Sequence, residues 1–393
     1  MKNYTELLRR EEVLRRLTTI QFLTYFGAWL VNIAIFTMLV EMGASATWIG
    51  LIASAHFLMG VFQAPITGTI IDRLEPKKIM VTLLLVEIFS TTGILFIDSL
   101  ELLPILFLLV LIRMGASSFY FTAEMSLLPK ILSSEDLKLA NELHSMIWSF
   151  TYSIGVAIGG LGVYLFSVET AFIVDIALFI LSLILLLKLK FSTEKKSHTE
   201  NFFSSFRSGV AYVMKNRKVL HLMLLHSLVG LLALDSLVTV ATDMFYRYEV
   251  AVPIAIGAIN SLKAFALVFG TALFSKFLSR DSFFYFLIFQ GVSVAVWGLF
   301  FDSFYLSLFG AFMAGLVSSL IWSYTYTLIQ EATDSKFYGR VIAYNDMLFL
   351  SVSSLTAYLT ASAIDIGINF ITIFLVIAVM YILSGFYYKR VVD

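Results

Sequence analysis

The 393-residue chain contains no cysteine, and only 14% of its residues are charged. Without cysteine there are neither disulfides nor thiolate metal sites, although the compartment stays open. The shortage of charge excludes more. With 59% hydrophobic residues, 37 phenylalanines and a mean hydropathy of +0.90, too little polar surface remains to cover a soluble domain. Other absences narrow the chemistry. Neither HExxH nor GxSxG occurs, so a membrane-embedded hydrolase lacks its parts. No nucleotide-binding loop is present to draw directly on ATP. His221 and His226 lie five residues apart, about 140° round a helix, which is not ligand spacing. An enzyme, a metal site, a cofactor and a nucleic-acid partner are therefore not expected.

What the chain has is apolar runs of about 20 residues, each long enough to cross a hydrocarbon core of roughly 30 Å. Twelve spans are expected, at 17–40, 47–71, 79–97, 104–125, 140–166, 168–187, 219–241, 252–277, 283–301, 304–328, 341–363 and 367–387. Lipid satisfies no backbone groups, and these runs lack the alternation of barrel strands, so the spans must be helices. The fold class is an all-α membrane protein.

Charge then sets the orientation. With the N-terminus in the cytoplasm, 24 of the 27 Lys and Arg fall on the cytoplasmic side; Arg113 and Lys263 lie within spans and Arg247 in an external loop. The positive-inside rule thus puts both termini in the cytoplasm. The start, LLRREEVLRRL, carries acids as well as bases and precedes a run too long for a signal peptide. It reads as a short amphipathic helix lying on the inner leaflet.

Polar, Ser-rich sequence after the sixth span divides the chain into a half at 1–190, a linker at 191–217 with its own amphipathic helix, and a half at 218–393. The halves echo one another. Gly68-Thr69 reappears as Gly270-Thr271, and Ala140-Asn141-Glu142 as Tyr344-Asn345-Asp346, at near-equal offsets. Such duplication is a recurrent transporter design with a site between the halves.

One stretch concentrates charge: GTIIDRLEPKKIM, residues 68–80, with Asp72, Arg73, Glu75, Lys77 and Lys78 in a cytoplasmic turn. Asp72 closes an inward-running helix at its negative dipole end. It needs compensation from Arg73, Lys77 and Lys78, or from the N-terminus of a neighbouring helix that Gly68 and Thr69 would let approach. An electrostatic latch and an ordinary solvated acid are both open readings.

The stretch resembles the loop 2–3 signature of the major facilitator superfamily, and twelve spans in two halves resemble that superfamily along the whole chain. Glu75, with Ser126-Leu127-Leu128-Pro129, Ala140-Asn141-Glu142-Leu143, Phe172-Ile173-Val174-Asp175 and Gly339-Arg340-Val341, is similar to the branch of enterobactin exporters and macrolide efflux proteins. The resemblance implies two six-helix halves with pseudo-two-fold symmetry. It also implies that Asp72 meets the start of the eleventh helix near Arg340 to Tyr344, holding an outward-open state. Arg113 in LIRMGA resembles the fourth-helix arginine of proton-coupled members. Gly155, Gly159 and Gly160 resemble the fifth-helix exporter signature, with Val156 where proline is usual, and their spacing permits close helix packing.

A charge within the bilayer is costly, so each is a functional candidate. Proton-coupling candidates are Arg113, Asp235, Lys263, Glu87 and Asp175. Asp235 and Lys263 come to overlapping depths if the eighth span begins nearer Ile256, and they read either as a coupling device or as a permanent pair. Glu87 is expected to pair with Arg113 or His56, or to face lipid, and Asp175 to be structural. In the resembled fold, helices 1, 4, 7 and 10 line the cavity, where Trp29, Asn32, His56, Tyr120, His226, Trp322 and Tyr326 are the candidates, with Gln21 a weaker one.

The expectation is a proton-coupled exporter of amphipathic solutes such as siderophores or macrolide-like compounds, monomeric, in a bacterial inner membrane. The intramembrane bases suggest a solute with negative or hydrogen-bond-accepting groups. Uptake by symport, lipid movement and a transport-inactive sensor are the alternatives.

Overall fold

The computed structural model describes residues 2–189 and 202–392; within its helices the side chains of 2, 3, 64–66, 68, 69, 72, 73, 134, 202–205, 391 and 392 are not described. The first half holds α2 (Glu12–Glu41), α3 (Ala46–Arg73), α4 (Pro76–Ile94), α5 (Leu103–Ile131), α6 (Ser134–Leu165) and α7 (Val168–Leu187), after a short α1 (Lys2–Arg10). A surface helix α8 (Phe202–Lys215) leads into α9 (Arg217–Ser227), α10 (Asp235–Ala241), α11 (Val252–Phe274), α12 (Phe283–Leu299), α13 (Phe304–Ala332), α14 (Tyr338–Asp365) and α15 (Phe370–Val392). Ten segments are long and apolar enough to cross a membrane. The other two spans are α12, only 17 residues, and α4, whose 19 residues include Lys77, Lys78 and Glu87. The fold is twelve membrane helices in two six-helix halves.

Helix ends follow local chemistry. Ser45, Ser133, Ser167 and Asn216 accept backbone N–H bonds at the starts of α3, α6, α7 and α9. Prolines open α4, α5 and α11, where no intrahelical donor is lost.

The seventh span departs from the continuous helix expected at 219–241. It stops at Ser227, passes through a 3-10 turn at Leu228–Leu232, and restarts at Asp235. Gly230 faces the α14 backbone closely enough that a Cβ would sit 2.8 Å from Ser353 N and 2.9 Å from the Phe349 carbonyl oxygen. Irregular backbone at membrane depth is tolerated where it is buried in protein or lines a cavity.

The halves meet along α3 with α14 and along α6 with α11. Small residues make that approach possible: a Cβ on Gly160 would lie 2.5 Å from the Pro253 carbonyl oxygen and 3.2 Å from Gly257 Cα. Three hydrogen bonds join the halves among the described residues. Ser261 Oγ donates to the Ser153 carbonyl at 2.7 Å, Ser354 Oγ to the Ser54 carbonyl at 3.2 Å, and Thr47 N–H to Asp365 Oδ2 at 2.7 Å. The last sits at the end of the bundle away from both termini.

Both amphipathic helices pack on the helix bundle. The apolar side of α1 is covered by protein rather than lipid: Leu7 is 2% exposed, Tyr4 Oη donates to Glu142 Oε2 at 2.8 Å, and Arg10 Nη2 reaches Asp136 Oδ1 at 2.6 Å. Helix α8 docks on the second half. Tyr212 stacks on Phe337 at 4.2 Å and its Oη accepts from Asp334 N–H, while Tyr344 Oη donates to the Phe206 carbonyl at 3.0 Å.

Candidate functional site

A cavity of about 420 Å³ lies between the halves. Its walls come from α2, α3, α5 and α6 on one side and from the broken seventh span, α11, α13 and α14 on the other. Trp29, Asn32, His56, Arg113, Asp235 and Lys263 all line it.

Arg113, 3% exposed, is held at two points. Its Nη2 donates to Asp175 Oδ2 at 3.1 Å and its Nε to Thr91 Oγ1 at 3.0 Å, and Thr91 Oγ1 donates to Asp175 Oδ2 at 3.1 Å. The closed triangle joins α4, α5 and α7. Asp175 in turn presses against Gly27 of α2, where any Cβ would overlap its carboxyl oxygen. Arg113 therefore pairs with Asp175, not with Glu87. Glu87 lies one turn before Thr91, is 3% exposed, and leaves Oε2 without a hydrogen-bond partner. It faces protein rather than lipid.

On the opposite wall Lys263 Nζ donates to Asp235 Oδ1 at 2.7 Å. The sequence allowed this pair if the eighth span began nearer Ile256; α11 begins at Val252, and the chain break that puts Asp235 at the start of α10 was not foreseen. Side-chain exposure separates the four charged groups: 34% for Asp235, 10% for Lys263, 4% for Arg113 and 1% for Asp175.

His56 lies between the pairs, within electrostatic reach of Arg113 and Asp235. Its Nδ1 meets the Ile52 carbonyl at 3.1 Å, which can only accept, so Nδ1 carries the proton and Nε2 accepts from Asn32 Nδ2 at 3.1 Å. Phe36 stacks on the ring at 5.9 Å. Nearby, Trp29 stacks on Tyr152 at 4.3 Å, and Trp148 closes on both at 6.4 and 5.4 Å.

The other candidates fall elsewhere. Tyr120 is buried outside the cavity, with its hydroxyl unpartnered. His226 sits just before the break, its Nδ1 2.9 Å from Thr325 Oγ1, ringed by Trp322, Tyr326 and Phe349. Only Phe349 of that group also lines the cavity. Gln21 Nε2 donates to the His144 carbonyl at 3.2 Å, bracing α2 on α6. Gly155 and Gly159 face α2 at Trp29 and Leu30, whereas Gly160 faces α11. Among the described residues no group of three or more His, Asp or Glu is placed to hold a metal.

The latch is only partly described, because Gly68, Asp72 and Arg73 are among the side chains not described. Lys77 Nζ donates to the carbonyls of Leu187 and Leu189 at 2.9 and 2.6 Å, capping α7, and Lys78 pairs with Glu75 at 2.9 Å. Arg340 Nη1 donates to Ser208 Oγ of α8 at 2.9 Å.

Sequence reasoning missed Thr91 and three side chains that line the cavity, Tyr25, Trp148 and Tyr152. A signal existed for the aromatics: Tyr25 and Trp29, like Trp148 and Tyr152, are i, i+4 pairs, and the second pair runs into the glycines of α6.

Two membrane-embedded halves around a central cavity with buried ion pairs define a transport protein. The sequence matches the Major Facilitator Superfamily over residues 17–288, more than half of the chain, and the protein belongs to that family. It is 25% identical over 325 residues to BacE of Bacillus subtilis (strain 168), named as a candidate bacilysin exporter, covering 78% of each chain. It is 26% identical over 192 residues to the uncharacterized MFS-type transporter YkuC of the same organism, a match spanning only 45% of that relative. Among solved structures, the nucleoside transporter NupG superposes with a TM-score of 0.77 at 14% identity, covering 98% of this chain and all of that one. A bacterial homolog of the lysosomal transporter Spinster, solved inward-facing and unoccupied, gives 0.71 at 15% identity, covering 97% of each chain. At such identities these structures establish the fold alone.

Proposed function

We propose that the protein is a proton-coupled exporter that moves an amphipathic organic solute by alternating access. The observation that carries this reading is the central cavity, which has an ion pair in each wall and aromatic rings between them. Each pair contains a carboxylate that can take a proton, and protonating Asp235 would free Lys263 from its partner. The far-end seam of Gly160, Gly257, Thr47 and Asp365 is the contact that outward opening must break.

Export is supported by BacE, similar along most of its length and named for export, and by the resemblance to the enterobactin and macrolide efflux branch. The charge asymmetry supports a bacterial inner membrane with both termini cytoplasmic. One chain supplies every wall of the cavity, which supports a monomer. The proton gradient is then the energy source, with no cofactor.

The test is proton movement in proteoliposomes with an internal pH dye, on adding siderophores, macrolides and cationic dyes. Substrate-dependent flux that falls in Asp235→Asn supports the antiporter. Solute binding with no flux from any compound would sink it.

A further inference from the structure

The export reading leaves the solute's own charge open. Counting intramembrane bases points to an anion, but both of those bases are already engaged by acids. Arg113 is covered by Asp175 and Thr91, and Lys263 gives its ammonium to Asp235. Neither base is left uncompensated. The charged group with the most exposure to the cavity is instead a carboxylate, since Asp235 is 34% exposed against 10% for Lys263 and 4% for Arg113. Its Oδ1 is bonded to Lys263, and Oδ2 has no protein donor among the described residues.

Three aromatic side chains, Trp29, Tyr152 and Trp148, line the same cavity as that carboxylate. Tyr152 lies within electrostatic reach of Asp235 and Lys263, stacks on Trp29 at 4.3 Å, and has Trp148 at 5.4 Å. The faces of Trp and Tyr carry negative electrostatic potential and attract cations. An anionic solute would meet Asp235 on one wall. On the other it would have to displace Asp175 from a desolvated pair, which is costly. A cation needs neither step.

We propose that the cavity binds an amphipathic organic cation, with its positive centre at Asp235 and its apolar body against Trp29, Tyr152 and Trp148. The assignment rests on this cavity being the transport site. A volume of about 420 Å³ holds a compact drug-sized body.

Two probes of nearly identical shape and opposite sign test it: tetraphenylphosphonium and tetraphenylborate. Binding is read by tryptophan fluorescence of the full-length protein in nanodiscs, with protein-free discs to subtract partitioning. The expected result is saturable phosphonium binding, weakened at least tenfold in Asp235→Asn, with borate binding weak and unaffected. Should Asp235→Asn fold poorly with Lys263 unpaired, the Asp235→Asn/Lys263→Met double variant removes both charges and carries the same expectation. Borate binding as tight as phosphonium binding, or phosphonium binding unchanged in both variants, overturns the proposal. Proton flux in proteoliposomes separates the two readings. Asp235-dependent phosphonium binding without flux keeps the cation site and removes proton coupling. Flux driven by anionic solutes alone keeps the antiporter and removes the cation site.

Discussion

Two buried ion pairs face one cavity and are built differently. Arg113–Asp175 is sealed among three helices, tied by Thr91 and wedged against Gly27. Lys263–Asp235 has a single bond, sits where the seventh span restarts, and keeps its acid a third exposed. A pair that is triangulated and dry has few alternative arrangements. A pair with a free oxygen and an irregular backbone beside it can exchange partners. Under the proposed function, the first pair would hold the first half together and the second would take part in transport.

Breaking the sealed pair should have the largest effect. Asp175→Ala leaves the Arg113 charge buried without its counterion and should cost about 3–5 kcal/mol. Thermal unfolding in detergent would show this, and a near-normal transition would mean that Arg113 had found Glu87 instead. Next comes Gly27→Ala, whose new methyl must push the Asp175 carboxyl aside, at a cost of about 1–3 kcal/mol. If Gly27→Ala is neutral, the wedge is not tight and the contrast between the pairs weakens.

Asp235→Asn should destabilise less, roughly 1–2 kcal/mol after solvent screening, while impairing transport strongly. Because Lys263 is then the buried group without a partner, Asp235→Asn/Lys263→Met should fold better than either single variant. Additive losses in that cycle would show that the two residues do not act as a pair. The smallest effect is expected at the far-end seam. Asp365→Ala removes one hydrogen bond to Thr47 and should cost about 0.5–1.5 kcal/mol. It should also raise labelling of a reporter cysteine at that end; unchanged labelling would show that the glycine seam alone keeps it shut.

The spans were readable because lipid imposes one rule on long stretches, and the expected 168–187 coincides with α7. The pairing of Lys263 with Asp235 was only half legible, because their depths matched on the condition that the eighth span began nearer Ile256, and α11 begins at Val252. Pairing Arg113 with Asp175 instead of Glu87 was not legible, since the choice depends on helix rotation about axes that hydropathy does not fix. The break after Ser227 was hidden too: no proline marks it, and LVGLLAL is as apolar as an unbroken span. It coincides with the close approach of α14 at Gly230, a tertiary contact that hydropathy does not register. Side-chain neutralisation was equally illegible: the sequence showed Arg113 and Lys263 as bases but not that Asp175 and Asp235 compensate them.

Helix α8 carries a mechanical consequence. Through Tyr212 on Phe337 and Asp334, and through Phe206 under Tyr344, it is fastened to the second half although it precedes Arg217 in the chain. In the proposed alternating-access cycle α8 would travel with the second half, so a pull through the connecting chain would act at Phe202 and not at the first residue of α9. A polypeptide severed between Leu189 and Phe202 would keep α8 covalently joined to the half it docks on, whereas a cut between Lys215 and Arg217 would leave only these contacts to hold it there.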